Sequence, residues 1–235
     1  MVGRLPQNAF WQVGVFRITI AVSILFFVLT IIAMQLYPGG TITDAHMHGY
    51  SFFFNFLSDL GRAATPNGQS NLPSRILFTT ALSMGSLGVT LFFVAMTQFF
   101  PAQGGAQRLS HLAAICSLAT CICFIGVALM PVDLTPQIHY AFLDAALVSF
   151  LITFLLLFSA VLLTPGFPRE VVWIFSAFAI LLAAYSLLLL VLLFFGPTRN
   201  SIAWEVIQAT GQKIIVYASI LTALIQAFNM QRSAH

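Results

Sequence analysis

Charge is what this sequence has least of. Nine basic and six acidic side chains are spread over 235 residues, 6% of the chain against 60% hydrophobic. A soluble domain carries about 25% charged residues, so fifteen charges cannot cover the surface of a soluble protein of this length. The formal charge of +3 is scattered, with no basic cluster interleaved with aromatics, which excludes a nucleic-acid partner. Cysteine is equally scarce. Cys116, Cys121 and Cys123 share one apolar segment, where free cysteine packs as a small hydrophobe, and C-x4-C-x-C is not a zinc spacing. No internal repeat, low-complexity tract or linker divides the chain, and the sequence calls for no cofactor.

What is present is long apolar runs. A membrane-crossing helix needs about 20 such residues, and six segments qualify, approximately 15–37, 76–100, 112–130, 140–163, 171–195 and 207–228, the last with a helix that begins near Ser201. The first is too long for a signal-peptide core and is followed by no small-residue cleavage site, so it reads as a retained span. The expected fold is all-α: one domain over 1–235, a polytopic bundle of six transmembrane helices. Pro- and Gly-marked turns at 101–110, 131–138 and 165–170 make consecutive helices antiparallel neighbours. Six spans put both termini on one side with Arg4, Arg17, Arg108, Arg169 and Arg232, against Arg62, Arg75, Arg199 and Lys213 on the other. The basic excess favours cytoplasmic termini in a multi-pass cell-membrane protein. Trp11, Trp173 and Trp204 fall near span ends, as in an aromatic belt.

The polar residues gather at the opposite, outward end. The first connection, 38–74, is the longest, and its stretch His46-Met47-His48-Gly49-Tyr50-Ser51-Phe52-Phe53-Phe54-Asn55-Phe56-Leu57-Ser58-Asp59-Leu60-Gly61-Arg62 is too short to span. It reads as a re-entrant or interfacial segment packed on the mouth of the bundle, because irregular backbone at membrane depth survives only against protein or a wet cavity. That places Asn55, Ser58 and Asp59 at the mouth; Ser58 or Asp59 capping a helix end that Gly61 terminates is an equally open reading. Asp133 precedes the fourth span, which opens on His139 and Tyr140 with Asp144 further in. An acid inside a span costs a few kcal/mol and faces the bundle interior by default. Tyr140 lies one turn before Asp144, within bonding reach, whereas His139 and Asp144 stand about 140° apart on the helical wheel. In the sixth span Ser201, Glu205, Gln208, Gln212, Ser219 and Gln226 fall within about 60° of one line. This stripe is either interhelical hydrogen-bond glue or, at its outer end with Lys213, the wall of a polar vestibule.

Three chemistries are open to such a patch. A lipid or other amphipathic ligand would set its head against Asn55, Ser58, Asp59, Asp133, His139, Tyr140, Asp144, Glu205, Gln208 and Gln212, with the Phe-rich loop on its chains. A hydrolase or transferase would use the same residues. Its metal-assisted form would need converging ligands from among His46, His48, His139 and Asp59, and a Ser58 nucleophile would need a positioned base. A small transporter would use Asp144 as a proton or cation site, although the chain has no inverted repeat halves. Membrane lipids are the expected partners; the sequence leaves oligomeric state open.

Asn55-Phe56-Leu57-Ser58-Asp59-Leu60-Gly61, then Pro73-Ser74-Arg75-Ile76-Leu77-Phe78, resembles the domain-of-unknown-function 998 family of bacterial and archaeal integral membrane proteins. Gly126 to Pro131, Asp133 and His139 are similar to that family's second motif. Gly211-Gln212-Lys213 departs from its Gly…Glu-Arg. More distantly, the Ser-Asp-Leu-Gly segment and His139 are similar to the Frag1/DRAM/Sfk1 proteins, which pair such a loop with a His at the fourth span and are associated with lipid remodelling, lipid asymmetry and autophagy. That likeness implies a six-helix bundle with the loop folded into its outer mouth, and transfers no reaction.

Overall fold

The computed structural model describes residues 13–197 and 201–233; Arg4, Trp11 and Arg199 lie outside them. Six helices long and apolar enough to cross a membrane account for most of the described chain: α1 Val15–Gln35, α2 Leu72–Met96, α3 Gly105–Leu129, α4 Pro136–Leu162, α5 Arg169–Phe195 and α6 Ile202–Ser233. The protein is thus a multi-pass helical bundle. Pro73 and Pro136 sit in the first turns of α2 and α4, where a missing N–H costs no helical bond. Gly196 follows α5. The third helix begins at Gly105 rather than 112, because Gln107, Arg108 and Ser110 extend it beyond its apolar run.

Each helix packs on its sequence neighbours, and α6 closes the ring against α1. Glycines replace side chains where α1 and α2 cross. A Cβ on Gly88 would stand 2.1 Å from Val22 Cγ2, and one on Gly85 2.9 Å from Phe26 Cδ2. Small residues at such crossings let membrane helices pack where water cannot drive them together. The fully buried residues of α5, Val171, Phe175, Phe178 and Leu182, all lie in its first half, and beyond them half-buried Tyr185 packs against Gly211 of α6.

The first connection does not form a seventh span. Its only helical piece is a 3-10 turn over Leu57–Gly61, and the segment lies across the ends of α2, α3 and α6. The chain folds back at Gly39 and Gly40, both with positive φ (138° and 88°), where a Cβ on Gly39 would meet the Met47 carbonyl oxygen at 2.4 Å.

Candidate functional site

The α1–α2 loop, the α3–α4 turn and the first turns of α6 meet at one end of the bundle, and the loop is tied down there by side chains from the other two. Asp133, in the α3–α4 turn, accepts the Ala63 and Ala64 N–H groups, each at 3.0 Å. Glu205, fully buried in the first turn of α6, accepts the Ile42 N–H at 2.9 Å and the Thr43 hydroxyl. Gln212 accepts the Leu57 N–H at 3.0 Å.

The centre of this cap is a closed polar network. Asn55 is fully buried. Its Nδ2 donates to the Gly40 carbonyl at 2.8 Å and its Oδ1 accepts from the Ser51 N–H at 2.9 Å. Its own carbonyl accepts the Tyr50 hydroxyl at 3.2 Å and the Lys213 ammonium. Lys213 is completely buried, with Nζ 5.6 Å from the centre of the Tyr50 ring and 5.2 Å from that of Phe52, within cation–π range. Asp59 is the acid of the network. Its Oδ2 accepts the Phe56 N–H at 2.8 Å and closes the 3-10 turn, and its Oδ1 takes the Arg62 Nε at 2.7 Å. Burial lowers the Arg62 pKa, but the attraction of Asp59 outweighs it and the guanidinium ends above its ordinary value. Burial, and next the Asp59 charge, push the Tyr37 and Tyr50 phenols upward. Gly61 ends the turn against the face of Phe78, which a Cβ would meet at 2.8 Å.

Beside this network are two buried acceptors with no partner. Asn71 spends its Nδ2 on three carbonyls of the turn, those of Asp59, Leu60 and Arg62 at 3.0–3.4 Å, and its Oδ1 has no partner. His139 lies within electrostatic reach of Asp59, Arg62 and Asp133. Its Nδ1 is 2.6 Å from the Met130 carbonyl oxygen. A carbonyl only accepts, so Nδ1 carries the proton, and the neutral ring presents a lone pair at Nε2. That atom is buried and unbonded. The stretch from Gly126 to His139 thereby acts as one corner, closed by the Met130 N–H on the Gly126 carbonyl at 3.0 Å and the Thr135 N–H on that of Pro131 at 2.9 Å.

The sequence candidates therefore separate. Asn55, Asp59, Asp133, His139, Glu205 and Gln212 belong to the cap or its ties. Ser58 and Gln208 are half-buried, with no side-chain hydrogen bond among the described residues. Asp144 does not face the interior, and Tyr140 does not bond to it. Both are exposed, and the Tyr140 ring instead stands edge-on to His139 at 5.8 Å. The reason is helical phase: the buried line of α4 runs His139, Ala146, Thr153, Ala160, and Asp144 lies about 140–160° from it. His46 and His48 are exposed, and no group of three His, Cys, Asp or Glu among the described residues is arranged to hold a metal. The candidate set omits Lys213, Arg62 and Asn71. Lys213 had a visible signal, as the only lysine in the chain.

No family model matches this chain, and no curated protein or solved structure does either.

Proposed function

We propose that this protein binds a lipid or other amphipathic molecule by its polar head at the capped end of the bundle. The observation that carries the reading is that two of the three unpartnered buried acceptors, His139 Nε2 and Asn71 Oδ1, lie at this end, the third being Gln98 Oε1 past the far end of α2. Buried polar groups are nearly always bonded, and each one left unmade costs about 1–3 kcal/mol. Both atoms call for donor hydrogens, such as those of a hydroxyl or amine. The cap's acids, Asp59, Asp133 and Glu205, are not outnumbered by its bases, Arg62 and Lys213, which disfavours an anionic head and favours a neutral, hydroxyl-bearing one. Phe52 and Phe53 on the loop surface, 43% and 58% exposed, would lie against its chains or those of neighbouring lipids. The segments Asn55–Gly61 and Gly126–His139 also carry the similarity to the domain-of-unknown-function 998 and Frag1/DRAM/Sfk1 families, and membership of either is part of this proposal.

Cytoplasmic termini in the cell membrane complete the reading. At the uncapped end Arg17, Arg108, Arg169 and Arg232 are all exposed, whereas at the capped end Lys213 is buried, Arg62 is paired and Arg75 is half-buried. A basic excess of this kind marks the cytoplasmic side.

One observation favours a second reading, a hydrolase or transferase. An imidazole anchored through Nδ1–H with Nε2 free has the orientation of a general base. No hydrogen bond joins it to Ser58. The transport alternative loses its interior acid, since Asp144 is on the outer face of α4.

The test exploits the two ring nitrogens. In His139→Asn the amide nitrogen replaces Nδ1–H against Met130 and Nε2 is lost; in His139→Gln the amide replaces Nε2 and the anchor is lost. Lipids extracted from purified wild-type protein and identified by mass spectrometry should include a hydroxyl-bearing amphipath that His139→Asn loses while still melting cooperatively. Identical lipid content in both variants and the wild type would refute the head-group site, and turnover of the extracted lipid would favour the enzyme.

A further inference from the structure

Below the cap, at mid-bundle, lies a partly open cavity of about 50 Å3 lined by α1, α2, α3, α4 and α6. One water molecule needs roughly 10–15 Å3, so the space admits a group of several heavy atoms. Its walls are largely hydrocarbon and aromatic: Phe26, Leu82, Phe124, Phe150, Val216 and Ile220. Six hydroxyls also border it; those of Thr120 and Thr153 meet each other at 3.4 Å, and the other four are turned to the backbone. Ser117 donates to the Ala114 carbonyl at 2.7 Å, Ser219 to Val216 at 2.8 Å, Ser86 to Ser83 at 3.0 Å, and Thr90 across to the Ser117 carbonyl at 3.1 Å. With those hydrogens spent the hydroxyls can only accept, so they offer a buried water acceptors without donors, set in a wall that is mostly apolar. It offers hydrocarbon a nearly complete set of contacts.

Position ties this space to the cap. Val216 and Ile220 are three and seven residues beyond Lys213 on α6, about 5–10 Å deeper at 1.5 Å per residue. Leu82 is eight residues beyond Ser74, whose hydroxyl bonds the Leu60 carbonyl of the cap. Phe26 and Leu82 belong to the same buried cluster as Leu57 and Leu60 of the loop, so continuous apolar packing runs from the cap to the cavity wall. The void exists because serines occupy wall positions on three helices where a leucine would fill it.

We infer that this cavity is a binding site for the hydrocarbon end of a membrane-resident molecule, a terminal acyl or isoprenoid segment. The inference deepens the proposed function and rests on it for the identity of the whole molecule, while the apolar site stands on the cavity alone. It also sets a limit: a rigid polycyclic body is too large for the space, and a flexible chain end fits.

A sixteen-carbon fatty acid with a photoreactive diazirine near its methyl end tests this in detergent-solubilised full-length protein, with labelled peptides mapped by mass spectrometry. Expected are adducts on wall residues of α2 and α6, such as Leu82 and Val216, reduced about tenfold or more by Ser117→Leu and by Ser219→Leu. Adducts on Leu118 and Ile122, exposed on α3, should be unchanged. Two variants on different helices guard against misfolding of either, and only protein with a cooperative melt is scored. Adducts confined to the exposed faces, or wall adducts that both substitutions leave intact, overturn the inference. His139→Asn separates the two readings: wall labelling that survives it leaves the chain site standing even if the head site fails, and lost wall labelling in the serine variants leaves the head site to its own test.

Discussion

The ammonium of Lys213, on α6, donates to the backbone carbonyl of Asn55, 158 residues away in the first loop. Both residues are fully buried, and the carbonyl also takes the Tyr50 hydroxyl. This contact holds the middle of the first loop, beside the ties that Asp133, Glu205 and Gln212 make to its other parts. Removing the partner of a buried charged group costs about 3–5 kcal/mol when a charge is left behind, and less when only a carbonyl is. Lys213→Met keeps most of the stem volume and removes the charge, so it should lower stability by about 2–3 kcal/mol. Hydrogen exchange over 50–60 should accelerate with it. A variant as stable as the wild type, with unchanged exchange there, would show that the contact contributes nothing.

Asp59 and Arg62 form the one ion pair among the described residues, and its two ends are not equivalent. The Asp59 carboxylate is almost wholly buried and also holds the Phe56 N–H, whereas the Arg62 side chain is 16% exposed. Asp59→Ala leaves a turn unclosed and Lys213 without its nearest acid, and should cost about 3–5 kcal/mol. Arg62→Gln leaves an acid that still has the Phe56 N–H and the Asn55 amide as donors and should cost clearly less. A double-mutant cycle by thermal melting should give a coupling of about 0.5–3 kcal/mol; equal single effects with no coupling would contradict the asymmetry.

The architecture was legible because a membrane span is a local property: twenty apolar residues and a proline or glycine stop declare themselves one at a time. The same holds for Asp133 and Glu205, acids at helix ends beside a long loop. What could not be read was which face each helix turns inward. Asp144 was expected inside because acids avoid lipid, yet α4 has one buried face, and His139, Ala146 and Thr153 occupy it. Lys213 was visible as a polar residue near the outer end of α6, but it stands about 100° round the helix from Gln212. Its role depends on Asn55, a contact that no pattern along the chain encodes. The cavity is invisible for the same reason, being made of gaps between helices.

Two phenols of the cap give a pH signature. Burial first, and the Asp59 charge second, hold Tyr37 and Tyr50 above the ordinary value of 10.0. The unfolded chain ionises them near that value, so it sheds these protons first. Their contribution to stability is complete below about pH 10 and is lost as pH rises through the raised folded values. Replacing Tyr50 with Phe should remove one phenolate from the ultraviolet absorbance of the denatured chain at about pH 11. It should leave the absorbance of the folded chain at that pH unchanged. Loss of a phenolate from the folded chain as well would mean that Tyr50 is open to solvent.

Asp144 supplies the converse case. Its carboxylate is exposed on α4, opposite the buried line, eight residues from Pro136 and so about 12 Å along the helix. A carboxylate at the centre of a membrane helix costs about 2.5–3.5 kcal/mol on insertion scales, and less toward the interface. Nothing in the cap bonds to it among the described residues. Asp144→Leu should therefore be neutral to stabilising by about 1–2 kcal/mol in a lipid bilayer, and it should leave head-group binding intact, whereas Asp144→Leu in an interior site would unpair a neighbour and destabilise. Melting of the variant in lipid nanodiscs, beside lipid extraction from the same sample, measures both. A destabilised variant, or one that loses the wild-type ligand, would place the carboxylate in contact with something that the bundle alone does not provide.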